Sequence, residues 1–359
     1  MSAPKIKLSL AMIVKNEARC LARCLRSVQA MADEIVVADT GSTDDTVKIA
    51  KEFGAKVPHF GWINDFAAAR NFALAQTTGD WILALDADEH ASETLAREIR
   101  GFIQGPAQIG RLKIVSDFRH NGQTQRSSTF VSRLFPRGAK FAGRIHEQIV
   151  SGLPRVNVPG ELRHDGYLET GKSDRNIKLL QSEITDDPRN AYLHFQLALE
   201  FTSLNRSREA FASLQQARAC MKPSDPFAPN VIVDFIYAAM ALNEFEAGLE
   251  SIRANETLLL DFPDFHHVRG LFYMKFIGNN PAQRMGDVPK IEESFLRSLA
   301  LGETDKYKSV HGSGSFLASY NLGVFYYSFG NDTAARRCLE VSAQQSYAPA
   351  IALLQKLKS

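Results

Sequence analysis

Short apolar runs alternate with amphipathic stretches over the first third of the chain, and the alternation predicts strands and helices by turns. Leu8 to Val14 reads as a strand, Glu17 to Gln29 as a helix, Glu34 to Asp39 as a strand and Asp44 to Phe53 as a helix. Ala55 to Phe60 follows as a short strand, Phe66 to Ala75 as a helix, and Trp81 to Leu85 as a strand that runs straight into Asp86-Ala87-Asp88-Glu89. Ser92-Glu93 opens the next helix. Gly110 to Phe118 and Thr129 to Phe135 are strand-like with no helical segment between them, which predicts an antiparallel addition to a βα-type sheet. The expected class for this part is α/β.

From about Arg175 the pattern becomes helical throughout, with apolar and small residues at helical spacing. Leu197-Ala198, Phe201, Ala210, Leu214 and Ala217 stand at the offsets of a tetratricopeptide unit, and Leu322-Gly323, Tyr326, Ala335 and Leu339 repeat them. Phe235 to Ile252 and Val268 to Leu299 are helical but match poorly, and Gly278-Asn279-Asn280-Pro281 predicts a longer loop in the third unit. Two domains are therefore expected: an α/β domain over residues 1–170 and an all-α, tetratricopeptide-like repeat domain over 171–359.

Composition narrows the partners. A net charge of +2, from 42 Lys+Arg against 40 Asp+Glu, gives no basic surface for nucleic acid and no electrostatic membrane anchor. The first residues lack the apolar run of a signal peptide, and no stretch reaches the roughly 20 apolar residues of a membrane span, so a cytoplasmic location is expected. Cys20, Cys24, Cys220 and Cys338 lack the paired spacing of a zinc site and are expected as reduced, structural thiols. Cys20 and Cys24 lie one helical turn apart, but no second pair completes a ligand set.

The candidate chemistry lies at strand ends, where an open α/β sheet gathers its loops around one crevice. Ala11 to Glu17 is a strand ending in polar residues. In Ile35 to Thr46, Asp39 ends a strand, Gly41 permits a tight turn, and Ser42 or Thr43 is placed to cap the next helix. Capping does not account for Asp39, whose carboxylate needs a donor such as a base imide N–H. Asp65 caps a helix that carries Arg70 and Asn71, and a guanidinium suits phosphate oxygens, with an ion pair as the rival use. If the strand persisted, Asp86 and Asp88 would share one face and offer two carboxylates to a hard cation; an acidic helix N-terminus is the plainer reading.

The phrases Met12-Ile13-Val14-Lys15-Asn16-Glu17, Asp33 to Thr46 and Leu85-Asp86-Ala87-Asp88-Glu89 occur in the order and spacing of a known signature. Over roughly residues 6 to 170 the chain resembles family 2 of the inverting nucleotide-sugar glycosyltransferases, of GT-A fold, and its tail resembles members with tetratricopeptide repeats. The resemblance implies a UDP-sugar donor, Mn2+ or Mg2+ as cofactor, and contacts to the nucleotide sugar from Val14, Asn16, Glu17, Asp39, Arg70, Asp86, Ala87 and Asp88. Asp39 would receive the uracil N–H, Asp86 would face the ribose and the metal shell, and Asp88 would ligate the metal, with His164 as second protein ligand. Glu147, in Arg144-Ile145-His146-Glu147-Gln148, is the implied base, with His146 as alternative.

Family members act on lipopolysaccharide cores, other glycans and lipid-linked or peptide acceptors, and the repeats would recruit an acceptor or a second copy of the chain. The Gln-x-x-Arg-Trp motif of processive synthases is absent; Arg133-Leu134-Phe135-Pro136-Arg137 stands in its place, with arginines suited to a diphosphate or an anionic acceptor. A sugar-nucleotide pyrophosphorylase would want a glycine-rich loop where Val14-Lys15-Asn16-Glu17 has none. The rival of another class is an inactive scaffold that keeps the shell and binds partners through its helices.

Overall fold

The computed structural model describes residues 5–120, 123–164 and 173–357. Asp165-Gly166-Tyr167, which follows the candidate ligand His164, lies outside the described residues. The chain divides into two compact units, Met1–Lys172 and Ser173–Ser359.

The first unit is built on a mixed sheet. Its strands and helices are β1 (Leu8–Val14), α1 (Leu21–Val28), β2 (Glu34–Asp39), α2 (Thr46–Glu52), α3 (Phe66–Ala75), β3 (Trp81–Ala84), β4 (Glu89–Ala91), α4 (Glu93–Phe102), β5 (Ile109–His120), β6 (Gln123–Pro136), β7 (Lys140–Ala142), β8 (Gln148–Val150) and β9 (Arg155–His164). Strand order is β2-β1-β3-β6-β5-β9-β4, with β7 and β8 a separate hairpin. β1 pairs parallel with β2 and β3, whereas β6 pairs antiparallel with β3 and β5. The antiparallel addition expected from the apolar pattern is present. β1 is buried at every position except the half-buried Ile13, as befits a central strand covered on both faces.

Three local readings are corrected. The helix expected from Glu17 starts at Leu21, after a turn in which Asn16 takes a left-handed backbone (φ 57°), the Glu17 N–H donates to Thr46 Oγ1 at 2.8 Å and the Ala18 N–H to Asp44 Oδ2 at 3.1 Å. The helix expected from Asp44 starts at Thr46, and neither Ser42 nor Thr43 caps it: Ser42 Oγ accepts the Asn16 N–H instead. The segment from Ala55 to Phe60 forms only two isolated bridges to β2, at Lys56 and His59, because Pro58 between them has no N–H to give. The capping reading at Asp65 holds, and Ser92 also caps the helix it was expected to open. Asp65 accepts the Ala68 N–H at 2.8 Å and Ser92 the Leu95 N–H at 3.2 Å.

The second unit comprises α5 (Ser173–Asp186), α6 (Ala191–Ser203), α7 (Ser207–Cys220), α8 (Ala228–Leu242), α9 (Phe245–Asn255), α10 (Pro263–Asn279), α11 (Pro281–Arg284), α12 (Pro289–Leu301), α13 (Phe316–Ser328), α14 (Asp332–Gln344) and α15 (Ala348–Lys356). It is all-α in its core and of tetratricopeptide type: α6 packs on α7 and α13 on α14, and Leu197, Ala198, Phe201, Ala210, Leu214 and Ala217 are buried, as are Leu322, Ala335 and Leu339. A methyl on Gly323 would lie 2.9 Å from Leu339 Cγ, so only glycine lets these two helices approach so closely. The middle repeats escape the motif because they pair glycine with large rings, Gly248 beneath Phe272 and Gly270 beneath Phe295. The expected loop at 278–281 is instead a helical connector, α11 followed by a single 3-10 turn at Met285–Asp287. The segment after α12 is fastened to α10 through buried Asp264, which accepts Ser309 Oγ, Ser313 Oγ and the Val310 N–H; burial pushes its pKa up to about 6. Among the described residues no helix is long and apolar enough to cross a membrane.

The start of β1 is pinned by Asp33, which accepts the Leu8 N–H at 2.9 Å, Lys5 Nζ at 2.6 Å and Arg100 Nη2 at 3.0 Å. Partial burial works against the carboxylate, but these donors outweigh it and hold the pKa down to about 2. A folded pKa below the unfolded value stabilises the fold above the unfolded pKa, and that contribution disappears as pH falls through the folded one. Asp33→Asn is expected to cost about 1–2 kcal/mol near neutral pH. Urea unfolding should show the gap between the two proteins closing below pH ~4.

Candidate functional site

The loops at the C-terminal ends of β1 and β2 meet. They are stitched together: Asn16 Oδ1 accepts the Thr43 N–H at 2.7 Å, and Thr40 Oγ1 donates to the Val14 carbonyl at 3.0 Å. Asp39 is buried, and its carboxylate accepts the backbone N–H of Gly41 at 3.2 Å and of Ser42 at 3.0 Å, with His59 Nδ1 3.6 Å away. Its burial is thus satisfied from within its own loop. A carboxylate accepts about four hydrogen bonds, so capacity for a further donor remains.

The strand expected to reach Leu85 ends at Ala84, and the chain then turns, with the Glu89 N–H donating to the Asp86 carbonyl at 3.1 Å. The two aspartates therefore do not act together on one face. Asp86 Oδ1 accepts Arg70 Nη2 and its Oδ2 accepts Arg133 Nη2, each at 2.6 Å. Asp88 instead meets His164, with Oδ2 and Nε2 3.3 Å apart. The sheet makes that meeting: β4 runs antiparallel to β9, in a register that sets Glu89 opposite His164, so Asp88 arrives beside the imidazole. His164 Nδ1 lies 3.3 Å from Ser116 Oγ on β5.

Arg70 was a candidate for phosphate; in this structure it is buried and bridges two carboxylates, Asp86 through Nη2 and Glu147 through Nε. Glu147 lies between β7 and β8, and Asn71 holds the hairpin by exchanging two 2.9 Å bonds with the Phe141 backbone. The neighbouring His146 has a left-handed backbone (φ 51°) and its carbonyl accepts Gln148 Nε2. Arg133 and Arg137, expected to face an anionic ligand, are instead bonded within the chain: buried Arg133 to Asp86 and Glu89, exposed Arg137 to the carbonyls of Thr77 and Thr78.

The charges shape one another. Burial works to raise the Asp86 pKa, but Arg133 and Arg70 overcome it and hold the carboxyl well below the usual range. Glu89 is pushed upward by burial, which Arg133 only partly offsets. Burial lowers the His164 pKa, yet its hydrogen bond to Asp88 and that carboxylate's charge leave it raised overall. Cys20 and Cys24 are free, buried thiols beside the turn; burial pushes Cys20 up to about 12 and Cys24 well above its ordinary value, so both are inert.

Sequence reasoning missed Glu89 and the inward role of Arg133. A glutamate opening a buried strand was a signal for the first. The second depends on which strand lies beside β3, which no local pattern records.

The site thus combines an α/β sheet with an aspartate turn at the end of its third strand, in a chain that continues into a tetratricopeptide-type helical unit. Residues 9–156 match the model of Glycosyl transferase family 2. The chain is similar to the SPbeta prophage-derived glycosyltransferase SunS of Bacillus subtilis, at 30% identity over 227 residues covering 58% of this chain and 53% of the relative. It is also similar to a TPR repeat-containing protein of Synechococcus elongatus, at 36% over 211 residues covering 54% and 52%. An uncharacterized glycosyltransferase of Rickettsia felis matches at 45% over 93 residues, covering 26% and 32%. The chain spans about half the length, or less, of these curated relatives.

Removing the Arg70 head group would leave Asp86 with one cation and Glu147 with none. Arg70→Met is expected to destabilise the N-terminal unit by about 3–5 kcal/mol, the usual cost of stranding a buried charge. Denaturant unfolding followed by tryptophan fluorescence at Trp81, which lies in β3, measures it.

Proposed function

We propose that the chain is a metal-dependent inverting glycosyltransferase that moves a hexose from a UDP-sugar to a glycan, lipid-linked or peptide acceptor. The observation that carries this reading is the pairing of Asp88 with His164, 3.3 Å apart and delivered by two different strands. Neighbouring ligands of a small octahedral cation are about 3 Å apart, so the two donor atoms fit one ion. Asp88 and His164 would hold Mn2+ or Mg2+, and when bound the ion neutralises the diphosphate as it leaves the sugar.

The chain's own residues supply the rest. Asp39 retains acceptor capacity for the uracil N–H, and Val14, Asn16, Glu17 and Ala87 line the same loops. Glu147 receives the acceptor's proton as the nucleophile bonds to the anomeric carbon and UDP departs with the electron pair of the broken bond. Arg70 takes one Glu147 oxygen through Nε, which leaves the other to receive that proton. Because Arg70 is committed to Asp86 and Glu147, its part at the donor site is to orient these carboxylates. The helical repeats present a surface to an acceptor or to a second copy of the chain.

Calorimetric titration with UDP, with and without Mn2+, tests the donor site, and transfer from a panel of UDP-sugars tests the reaction. Asp88→Ala should abolish transfer and weaken UDP binding in Mn2+. Unchanged affinity and turnover in that variant would remove the metal role. Glu147→Gln should bind the donor normally while transfer falls by about 100-fold or more. Normal turnover there would move the base to His146. UDP binding without transfer in any combination would favour a scaffold.

A further inference from the structure

The aspartate turn is held by two residues to which the reading above gives no task. The Glu89 side chain is 2% exposed, and both of its oxygens are occupied. Oε2 accepts the backbone N–H of Asp86 at 3.0 Å, and Oε1 accepts Arg133 Nη2 at 2.7 Å. The same Arg133 nitrogen donates to Asp86 Oδ2 at 2.6 Å. These bonds close a ring that fixes the main chain and the side chain of Asp86 together. Glu89 is anchored independently, by its N–H to the Asp86 carbonyl at 3.1 Å and by its place opposite His164 in the β4–β9 ladder. Asp88 thus lies between two held residues, with its Oδ2 3.3 Å from the imidazole of His164.

We propose that Glu89 and Arg133 are positioning residues of the donor site, which hold the 86–89 turn so that Asp88 and His164 present their donor atoms to one divalent cation. The inference rests on the donor-site reading above. Neither residue touches the ion or the sugar; each acts through the turn, as partners behind a metal ligand do.

The chemistry of the ring says which substitutions matter. Two N–H donors converge on one carboxylate at Glu89. An amide in its place offers a single acceptor oxygen and sets its own N–H2 against a donor. The Arg133 contribution comes from one nitrogen rather than a two-pronged fork, so an ammonium, with three donors on one nitrogen, can serve both carboxylates. A methionine of similar reach cannot serve either.

The test is calorimetric titration of the full chain with UDP, with and without Mn2+, alongside thermal unfolding to establish that each variant is folded at the assay temperature. Glu89→Gln and Arg133→Met are expected to lose about 10- to 100-fold of the UDP affinity that Mn2+ adds, while affinity without metal is unchanged. Arg133→Lys is expected to restore most of that increment. A residue needed only for stability would lower the unfolding temperature and leave the Mn2+ increment intact, and a folded Glu89→Gln with the full increment would overturn the inference. If Glu89→Gln does not fold, equal increments in Arg133→Lys and Arg133→Met would overturn it. Absence of any Mn2+ increment in the unsubstituted chain would overturn the donor-site reading, and the inference with it.

Discussion

Asp86 is the constraint on which the N-terminal domain turns. One carboxylate takes a guanidinium on each oxygen, and each guanidinium reaches on to a second acid, Arg70 to Glu147 and Arg133 to Glu89. Three carboxylates and two guanidiniums in one network leave a formal charge of minus one beside Asp88. Such a network is weak ground for stability, because desolvating its ions costs nearly what their attraction returns. It is strong ground for geometry, since every member fixes the direction of another. Residues from β4, β6, α3 and the β7–β8 hairpin are brought to one point by it.

Each unit is organised around one aspartate, half-buried Asp86 in the first and buried Asp264 in the second, with opposite electrostatics. Asp86 is held by charges and stays ionised, whereas Asp264 is held by two hydroxyls and one backbone N–H and has its pKa pushed up to about 6 by burial. Around Asp264 the helical unit is packed by rings over glycines, a solution that needs no fixed motif. Each such crossing places a flat aromatic face on bare backbone, and dispersion contacts over the ring supply the attraction.

Much of this was legible along the chain because it is local. Apolar runs placed β1, β2, α3 and β3 to within a residue, and the caps at Asp65 and Ser92 follow from short-range hydrogen bonding. The errors have a common cause. Glu17 to Cys20 has a helical sequence but folds as a turn, with its first N–H groups bonded to side chains of residues 44 and 46, remote in sequence. The partnership of Asp86 with Arg133, and of Asp88 with His164, depends on strand order and register, which bring together residues dozens of positions apart. The resemblance of motifs pointed to Asp88 and His164 as a pair; only the β4–β9 register supplies the physical reason. The expectation that Asp86 and Asp88 act from one face failed because the strand ends two residues before the first of them.

The Ala55 to Phe60 segment, too irregular to count as a strand, has a further bearing on the protein's behaviour in a crowded solution. β2 is the outermost strand of its sheet, and an outermost strand offers a row of unpaired backbone groups to any other extended chain. Here the Val37 and Asp39 N–H groups donate to the carbonyls of Lys56 and Pro58, and Lys56 and Phe60 return N–H groups to Ile35 and Asp39. The segment covers the margin of β2 with two isolated bridges rather than a full strand, so the edge it presents in turn is short and irregular, which works against edge-to-edge pairing.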